Sequence, residues 1–324
     1  MFHVKHEPQR LLSSLMPPVL VLAPMEGLTD AAMRHVLTQI SHYDWCVSEF
    51  LRITDRLHPA RSFLAHCPEM QTGWRTAAGT PVHLQLLGSD AQALAENAAR
   101  AAELGAPAID LNFGCPARTV NRHRGGAALL AETALVHELV SQVRRAVPAD
   151  VPVSAKIRLG IDNADALLDN AAAVHDAGAS WITIHARTRA QGYRPPVDWL
   201  AIGRVRQRYP DWTVIANGDI RSAESLRQCV EESGCAHFML GRAAVSEPDL
   251  VQRLRHPEQK PLGWAALDAW QASFLRSMEG PDRGCVGRYK QWLAMTTAVY
   301  PEAAARFQQI KQLHCRESIL ALCQ

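Results

Sequence analysis

Cys115 stands between Gly114 and Pro116, in a turn whose stiff backbone aims the thiol outward. A cysteine placed this way can act as a nucleophile or as a proton donor. The other seven cysteines, at 46, 67, 229, 235, 285, 315 and 323, read as small, inert hydrophobes. A papain-like use of Cys115 needs a histidine to orient it; His123 is the nearest in sequence, and nothing in the sequence fixes their geometry. Lys156 ends the largely apolar stretch 151–157, where burying an unpaired ammonium is costly, so it requires a specific partner. Gln85 and His185 close two further apolar runs. Alone, His185 is better read as a satisfied core histidine, but beside Lys156 and Gln85 it completes a set of donors for a planar ring with many acceptors. An isoalloxazine fits, because a cation near its N1/O2 edge stabilises the negative charge of a reduced flavin.

Two glycine turns suggest where a phosphate would lie. Asn217-Gly218-Asp219 and Gly241-Arg242 each follow a short apolar run. Glycine lets backbone N–H groups approach an anion, and an arginine can grip two of its oxygens. Either turn alone could be a plain tight turn; the pair points to phosphate binding.

These residues need a scaffold that brings them to one place. Runs rich in Val, Ile and Leu recur at 19–23, 45–49, 82–86, 108–112, 153–157, 181–185, 213–216 and 237–240. Their spacing of roughly thirty residues suits a strand plus a returning helix. Helix-like stretches at 91–104, 131–146 and 164–177 lie between them, two ending at Gly105 and Gly178. Eight such units predict an α/β fold, a (β/α)8 TIM barrel. An open doubly wound sheet is disfavoured because no GxGxxG follows the first run. A barrel gathers its active site at the carboxyl ends of the strands. Those ends carry Pro24-Met25-Glu26, Glu49, Gln85, Asn112 to Cys115, Lys156 to Arg158, His185, Asn217 to Asp219 and Gly241-Arg242.

The rest of the chain sets limits. With 324 residues, 48% hydrophobic and 20% charged, it is long enough for one large domain with an appendage, and it is neither disordered nor fibrous. The formal charge of +2 excludes a global polycation, so any nucleic-acid contact must be local. No CxxC pair argues for a disulfide framework or zinc site, no metal is expected, and no apolar run suits a signal peptide or a membrane span. A cytoplasmic, monomeric protein is the expectation. Residues 1–16 read as an N-terminal extension, either disordered or an over-long start, and 17–246 as the barrel. After residue 246 the strand-like runs stop. Stretches 250–254, 264–278, 288–300 and 303–322 predict a helical domain over 247–324. Residues 251–324 hold ten basic against six acidic side chains, which suits a solvated face as well as a polyanion. Residues 118–126, with Arg118, Arg122 and Arg124, read as a flexible basic loop beside Cys115, solvated or poised for a phosphate-rich substrate.

The segments APMEG (23–27), QLLG (85–88), DLNFGCP (110–116), AKIR (155–158), HART (185–188), NGD (217–219) and GR (241–242) together resemble the tRNA-dihydrouridine synthases. SEFLR (48–52), QGYR (191–194), PVDW (196–199) and RYKQWL (288–293) are most similar to subfamily C, which acts on uridine 16 of the D-loop. The resemblance implies an enzyme that holds FMN, is reduced by NADPH and saturates the uracil 5,6 double bond of tRNA, with hydride arriving at C6. By matching positions it implies that Pro24, Met25, Glu26, Gln85, Lys156 and His185 border the flavin ring. Asn217, Gly218, Asp219, Gly241 and Arg242 would hold its phosphate side. Cys115 would give the proton to C5, and Arg52, Asn112, Arg158, Tyr193, Arg288 and Lys290 would meet RNA. Phe113 and Ala186 depart from the smaller residues common in the family and are expected to tighten the pocket.

Two other readings compete. A small-molecule flavin oxidoreductase of the dihydroorotate dehydrogenase or ene-reductase kind would share the barrel and ring site, but has no use for a basic helical tail. An RNA-binding scaffold without catalysis would have no need of Cys115 and Lys156.

Overall fold

A computed structural model describes residues 18–323. The extension expected over residues 1–16 lies outside the described residues. Eight parallel strands close into a barrel in chain order: β1 (Val19–Leu22), β2 (Trp45–Arg52), β3 (Val82–Leu87), β4 (Ile109–Phe113), β5 (Val153–Arg158), β6 (Trp181–His185), β7 (Thr213–Asn217) and β8 (His237–Leu240). Closure is made by β1 on β8, with Val19 opposite His237 and Leu22 opposite Leu240. The barrel expected from the sequence is therefore present, each strand within a few residues of its predicted run.

The strands form where β-branched and aliphatic residues can be buried on both faces. Val21, Val47, Ile215 and Met239 pack inside the barrel, while the larger outer cluster faces the surrounding helices. Near the amino ends of β2, β3 and β6, Trp45, His83 and Trp181 pack ring against ring at 5.2–5.9 Å. Helices start where a side chain can accept a free backbone N–H. Asp30, Asp90 and Asp198 do this for the helices Ala31–Ile40, Ala91–Glu103 and Trp199–Arg208, and Ser222 with Ser225 makes a capping box for Ala223–Ser233.

Beyond β8 the chain is helical: Arg242–Ser246, Leu250–Arg255, Trp264–Ser277, Asp282–Thr296, Pro301–Ile310 and Arg316–Leu320. The third begins at Trp264 as expected. The fourth starts well before the predicted residue 288, because Pro281 opens it and Asp282 lies in its first turn, outweighing the poor helix propensity of Gly284 and Gly287. The single helix expected over 303–322 is instead two, broken between Ile310 and Arg316. This tail is fastened to the barrel. Trp292 Nε1 donates to Val245 O at 3.0 Å, and its ring meets Phe274 edge-on at 5.2 Å. Arg288 donates to Asp30 Oδ2 and to the carbonyls of Gly27 and Leu28. No helix among the described residues is long and apolar enough to cross a membrane.

Candidate active site

A cavity of about 420 Å³ opens at the carboxyl ends of the strands, a size suited to a cofactor-scale ligand. Pro24, Met25, Glu26, Gln85, Cys115, Lys156, His185, Asn217, Gly218, Asp219, Gly241 and Arg242 all line it. The barrel thus brings together every residue expected at the flavin and the candidate acid. Of the six residues expected to meet RNA, Asn112, Arg158 and Tyr193 line the same space. Arg52 ends β2 and is exposed. Arg288 and Lys290 stand on the tail with internal partners: Arg288 clamps the β1 loop, and Lys290 Nζ donates to the carbonyls of Lys311 and Leu313.

Lys156 is buried, and its Nζ donates to Asn217 Oδ1 at 3.2 Å. Desolvation, then repulsion from Arg158, lowers its pKa to about 8, while Asp110 pulls the other way. Most of its charge persists at neutral pH, held at a cost. His185 is desolvated and surrounded by Lys156, Arg158, Arg187 and Arg242, which together keep it neutral. One edge of the cavity therefore offers a cation and a neutral imidazole.

At the far end, Asp219 gathers three arginines. Arg187 approaches it at 2.5 Å, and Arg221 and Arg242 each at 3.2 Å. One carboxylate against three guanidiniums leaves a net excess of two positive charges. Asp219 and Gly218 both have positive φ, +46° and +130°, which turns the chain sharply beneath the cavity. Asp219 itself repels an anion through its side chain; what it does is array the arginines. Arg187, part of HART (185–188), carries no role in the sequence alone, because its partner Asp219 lies on the following strand's loop. The donor set fits a ring with an anionic, phosphorylated tail: a cation and imidazole at one edge, an arginine cluster at the other.

Cys115 is half-buried. Burial first, and then the nearby Glu26, raise its pKa, outweighing the backbone of Ala117 and the charges of Arg158 and Arg52. It is a protonated thiol at neutral pH, suited to giving a proton rather than attacking as a thiolate. His123 is exposed and makes no bond to it, so a cysteine–histidine pair is not built here. The Cys115 carbonyl accepts from Ala127 N at 3.0 Å and Asn121 Nδ2 at 2.9 Å. Gly126 lies so close that a Cβ there would sit 2.7 Å from that carbonyl. The segment after Cys115 is a short helix, Arg118–Arg122, rather than the expected flexible loop. Its arginines are exposed, and Arg124 beyond it pairs with Glu132.

With this geometry in place, sequence comparison is decisive. The family model described as dihydrouridine synthase matches residues 21–278. The chain belongs to the dihydrouridine synthase family. It is 48% identical to the tRNA-dihydrouridine(16) synthase of Pseudomonas syringae pv. tomato, over 90% of this chain and 94% of that one. The Escherichia coli K12 protein of the same name is 44% identical, over 91% and 94%. Among solved structures, a 2-naphthoyl-CoA reductase complex superposes with TM-score 0.58 at 10% identity, covering 76% of this chain and 52% of that one. TcOYE with pHBA superposes with TM-score 0.53 at 11% identity, covering 81% and 95%. These last two speak for the fold alone.

Within the family fold, the two departures do not act as expected. Phe113 and Ala186 are buried and neither lines the cavity, so they pack behind it rather than narrow it. The sequence reading also missed part of the wall. Met295, Ala298 and Val299, from the tail, close one side of the cavity, as does Met239 from β8. No periodicity in the sequence could have placed the tail there.

Proposed function

We propose that this protein reduces the 5,6 double bond of uridine to dihydrouridine at position 16 of the tRNA D-loop, holding FMN and oxidising NADPH. The carrying observation is that Cys115, with its thiol kept protonated, and Lys156, a cation held against desolvation, face one cavity of cofactor size. Family membership and the name shared by relatives of similar length support tRNA as substrate.

Lys156, Gln85 and His185 would hold the ring, with Pro24, Met25 and Glu26 along its border. Asn217, Gly218 and Gly241 would approach the phosphate through backbone, while Arg242 faces it and Asp219 fixes the arginines. A reduced flavin held by these residues would supply the hydride that C6 of the uracil receives. Negative charge then gathers on C5 and O4, and Cys115 hands its proton to C5. Tyr193, exposed at the mouth with the guanidiniums of Arg158 and Arg242 5.3 and 5.0 Å from its ring centroid, would present its aromatic ring to the incoming base, while the buried Arg158 donates to the carbonyls of Gly114, Thr188 and Gly192 behind it. Drawing a stacked uridine into the mouth costs a few kcal/mol. We assign that work to the helical region 247–324 as an RNA-binding domain, acting in a monomer through phosphate contacts, with Arg52 and Asn112 nearer the base.

Cys115→Ala tests the reading. The variant should keep its flavin and its NADPH oxidation but form no dihydrouridine in unmodified tRNA. Full tRNA reduction by that variant would remove Cys115 from the mechanism. A wild-type flavoprotein reduced by NADPH but not reoxidised by tRNA would instead mark a small-molecule reductase.

A further inference from the structure

Asp110 belongs to the segment that carries Cys115, yet no role above uses it. It is buried in the middle of β4, below the cavity floor. Its Oδ1 accepts from Ser154 Oγ at 2.7 Å and its Oδ2 from Gln85 Nε2 at 2.6 Å. Gln85 Oε1 in turn accepts from Asn112 Nδ2 at 2.7 Å. Asn112 Oδ1 then accepts two backbone N–H groups, those of Gly114 and Cys115, each at 2.9 Å. Burial raises the pKa of Asp110, while Ser154, Gln85 and the charge of Lys156 oppose that rise and favour the carboxylate.

The direction of this chain agrees from both ends: the Gly114 and Cys115 N–H groups only donate and hold the Asn112 oxygen, while Asp110 takes the Gln85 nitrogen at the other end. An amide can sit either way round, and only its partners decide which. A carboxylate accepts only, so it turns the Gln85 nitrogen toward itself and leaves the Gln85 oxygen for Asn112. That matches the Asn112 amide, whose nitrogen points toward Gln85 and whose oxygen points toward the Cys115 turn. Reversing either amide would oppose donor to donor in a buried place.

Resting on the proposed reaction, we infer that Asp110 is a positioning residue: it anchors the Gln85 amide, which braces the Asn112 amide, and through them it pins the Cys115 turn over the cavity. Asp110 touches neither substrate nor ring. Its effect travels through three hydrogen bonds to the backbone of the proton donor.

The test compares Asp110→Leu with Asp110→Asn in the full-length flavoprotein. Leucine matches the shape and withdraws the acceptor. Asparagine keeps an oxygen for Gln85, while Ser154 can turn its hydroxyl to accept from the new amide. The first readout is hydrogen exchange at the Gly114 and Cys115 amides, which needs no turnover. Leucine should speed it at least about tenfold, and asparagine should leave it near wild type. The second is reoxidation of the NADPH-reduced enzyme by tRNA, which leucine should slow about 10- to 100-fold with little change in the tRNA concentration needed. Should Asp110→Leu fail to fold, Asp110→Ala withdraws the same acceptor and is read the same way. Wild-type exchange rates in the leucine or alanine variant would overturn the inference. So would an asparagine variant as fast as leucine, which would make the anion and not the acceptor decisive. If wild-type enzyme itself ignores tRNA, the reaction is wrong, while the exchange data still judge Asp110.

Discussion

Replacing Lys156 with methionine should make the flavin-free protein more stable at pH 7, even though it removes a hydrogen bond. Desolvation, aided by Arg158, holds the lysine pKa at about 8, against 10.5 for the free side chain. A gap of about 2.5 pH units corresponds to about 3 kcal/mol favouring the neutral amine. Below pH 8 both folded and unfolded chains hold the proton, and that cost is present in full. Between about pH 8 and 10.5 the unfolded chain alone keeps it, so stability attributable to this group climbs with pH. About 1 kcal/mol of the cost survives at pH 10 by the same relation. Methionine has similar length and no charge, and it forfeits only the 3.2 Å bond to Asn217, worth about 1 kcal/mol.

The variant should therefore exceed wild type by about 2 kcal/mol at pH 7 and fall roughly level with it at pH 10. Urea unfolding of flavin-free protein at the two pH values, followed through tryptophan fluorescence, measures the gap; titrations of groups remote from Lys156 cancel between the two proteins. A variant less stable than wild type at pH 7, or a gap unchanged at pH 10, refutes the reasoning. The same substitution should abolish retention of the flavin. An anionic ring edge would stabilise the ammonium that the empty cavity penalises.

Two further substitutions probe the supports of the site. Gly126→Ala would place a Cβ 2.9 Å from that of Cys115, at φ +60°, so the Cys115 turn must shift; the expected result is about 1–3 kcal/mol lower stability by thermal unfolding and slower tRNA reduction with flavin retained. Arg34→Met strands the buried Glu69, which Arg34 grips at 2.8 Å, and should cost about 3–5 kcal/mol in urea unfolding, most of it recovered in Arg34→Met with Glu69→Leu. Burial would push the Glu69 carboxyl up, but Arg34 holds it below its usual value. The wild-type pair should therefore lose its contribution only as pH falls through that depressed value, and the double variant should lack this acid-sensitive component.

The barrel was legible because its signal repeats: eight apolar runs at similar spacing, seven of them ended by a side-chain donor, acid or base. The cavity residues were legible for a related reason, since strand ends are fixed once the strands are. What escaped were relations between elements. Arg187 reads as one letter of a motif until β7 brings Asp219 against it. Arg288 reads as a free cation on a basic helix until the tail folds back and Asp30 takes it. Asp110 alternates with apolar neighbours as an ordinary strand residue would, and only its partners on β3 and β5 disclose a directed chain of bonds. The basic segment after Cys115 contained enough helix-compatible residues to close one turn, Arg118–Arg122, which composition alone read as a loop.

The charges around the cavity divide in a way that bears on the proposed reaction. Lys156, Arg187 and Arg242 line the cavity, and the pKa of His185 is lowered well below its usual value by burial first and then by these cations and Arg158. Three further groups lining the cavity have their pKa raised. The Cys115 thiol is raised, and so are the carboxyls of Glu26 and Glu49, each by burial first. Glu49 is raised further by Glu26 and Asp30 beside it. Hydride addition to a uracil makes an anion, and its quenching needs a proton already in place. A cationic edge tolerates the negative charge of a reduced ring, while the protonated thiol waits where a base would enter.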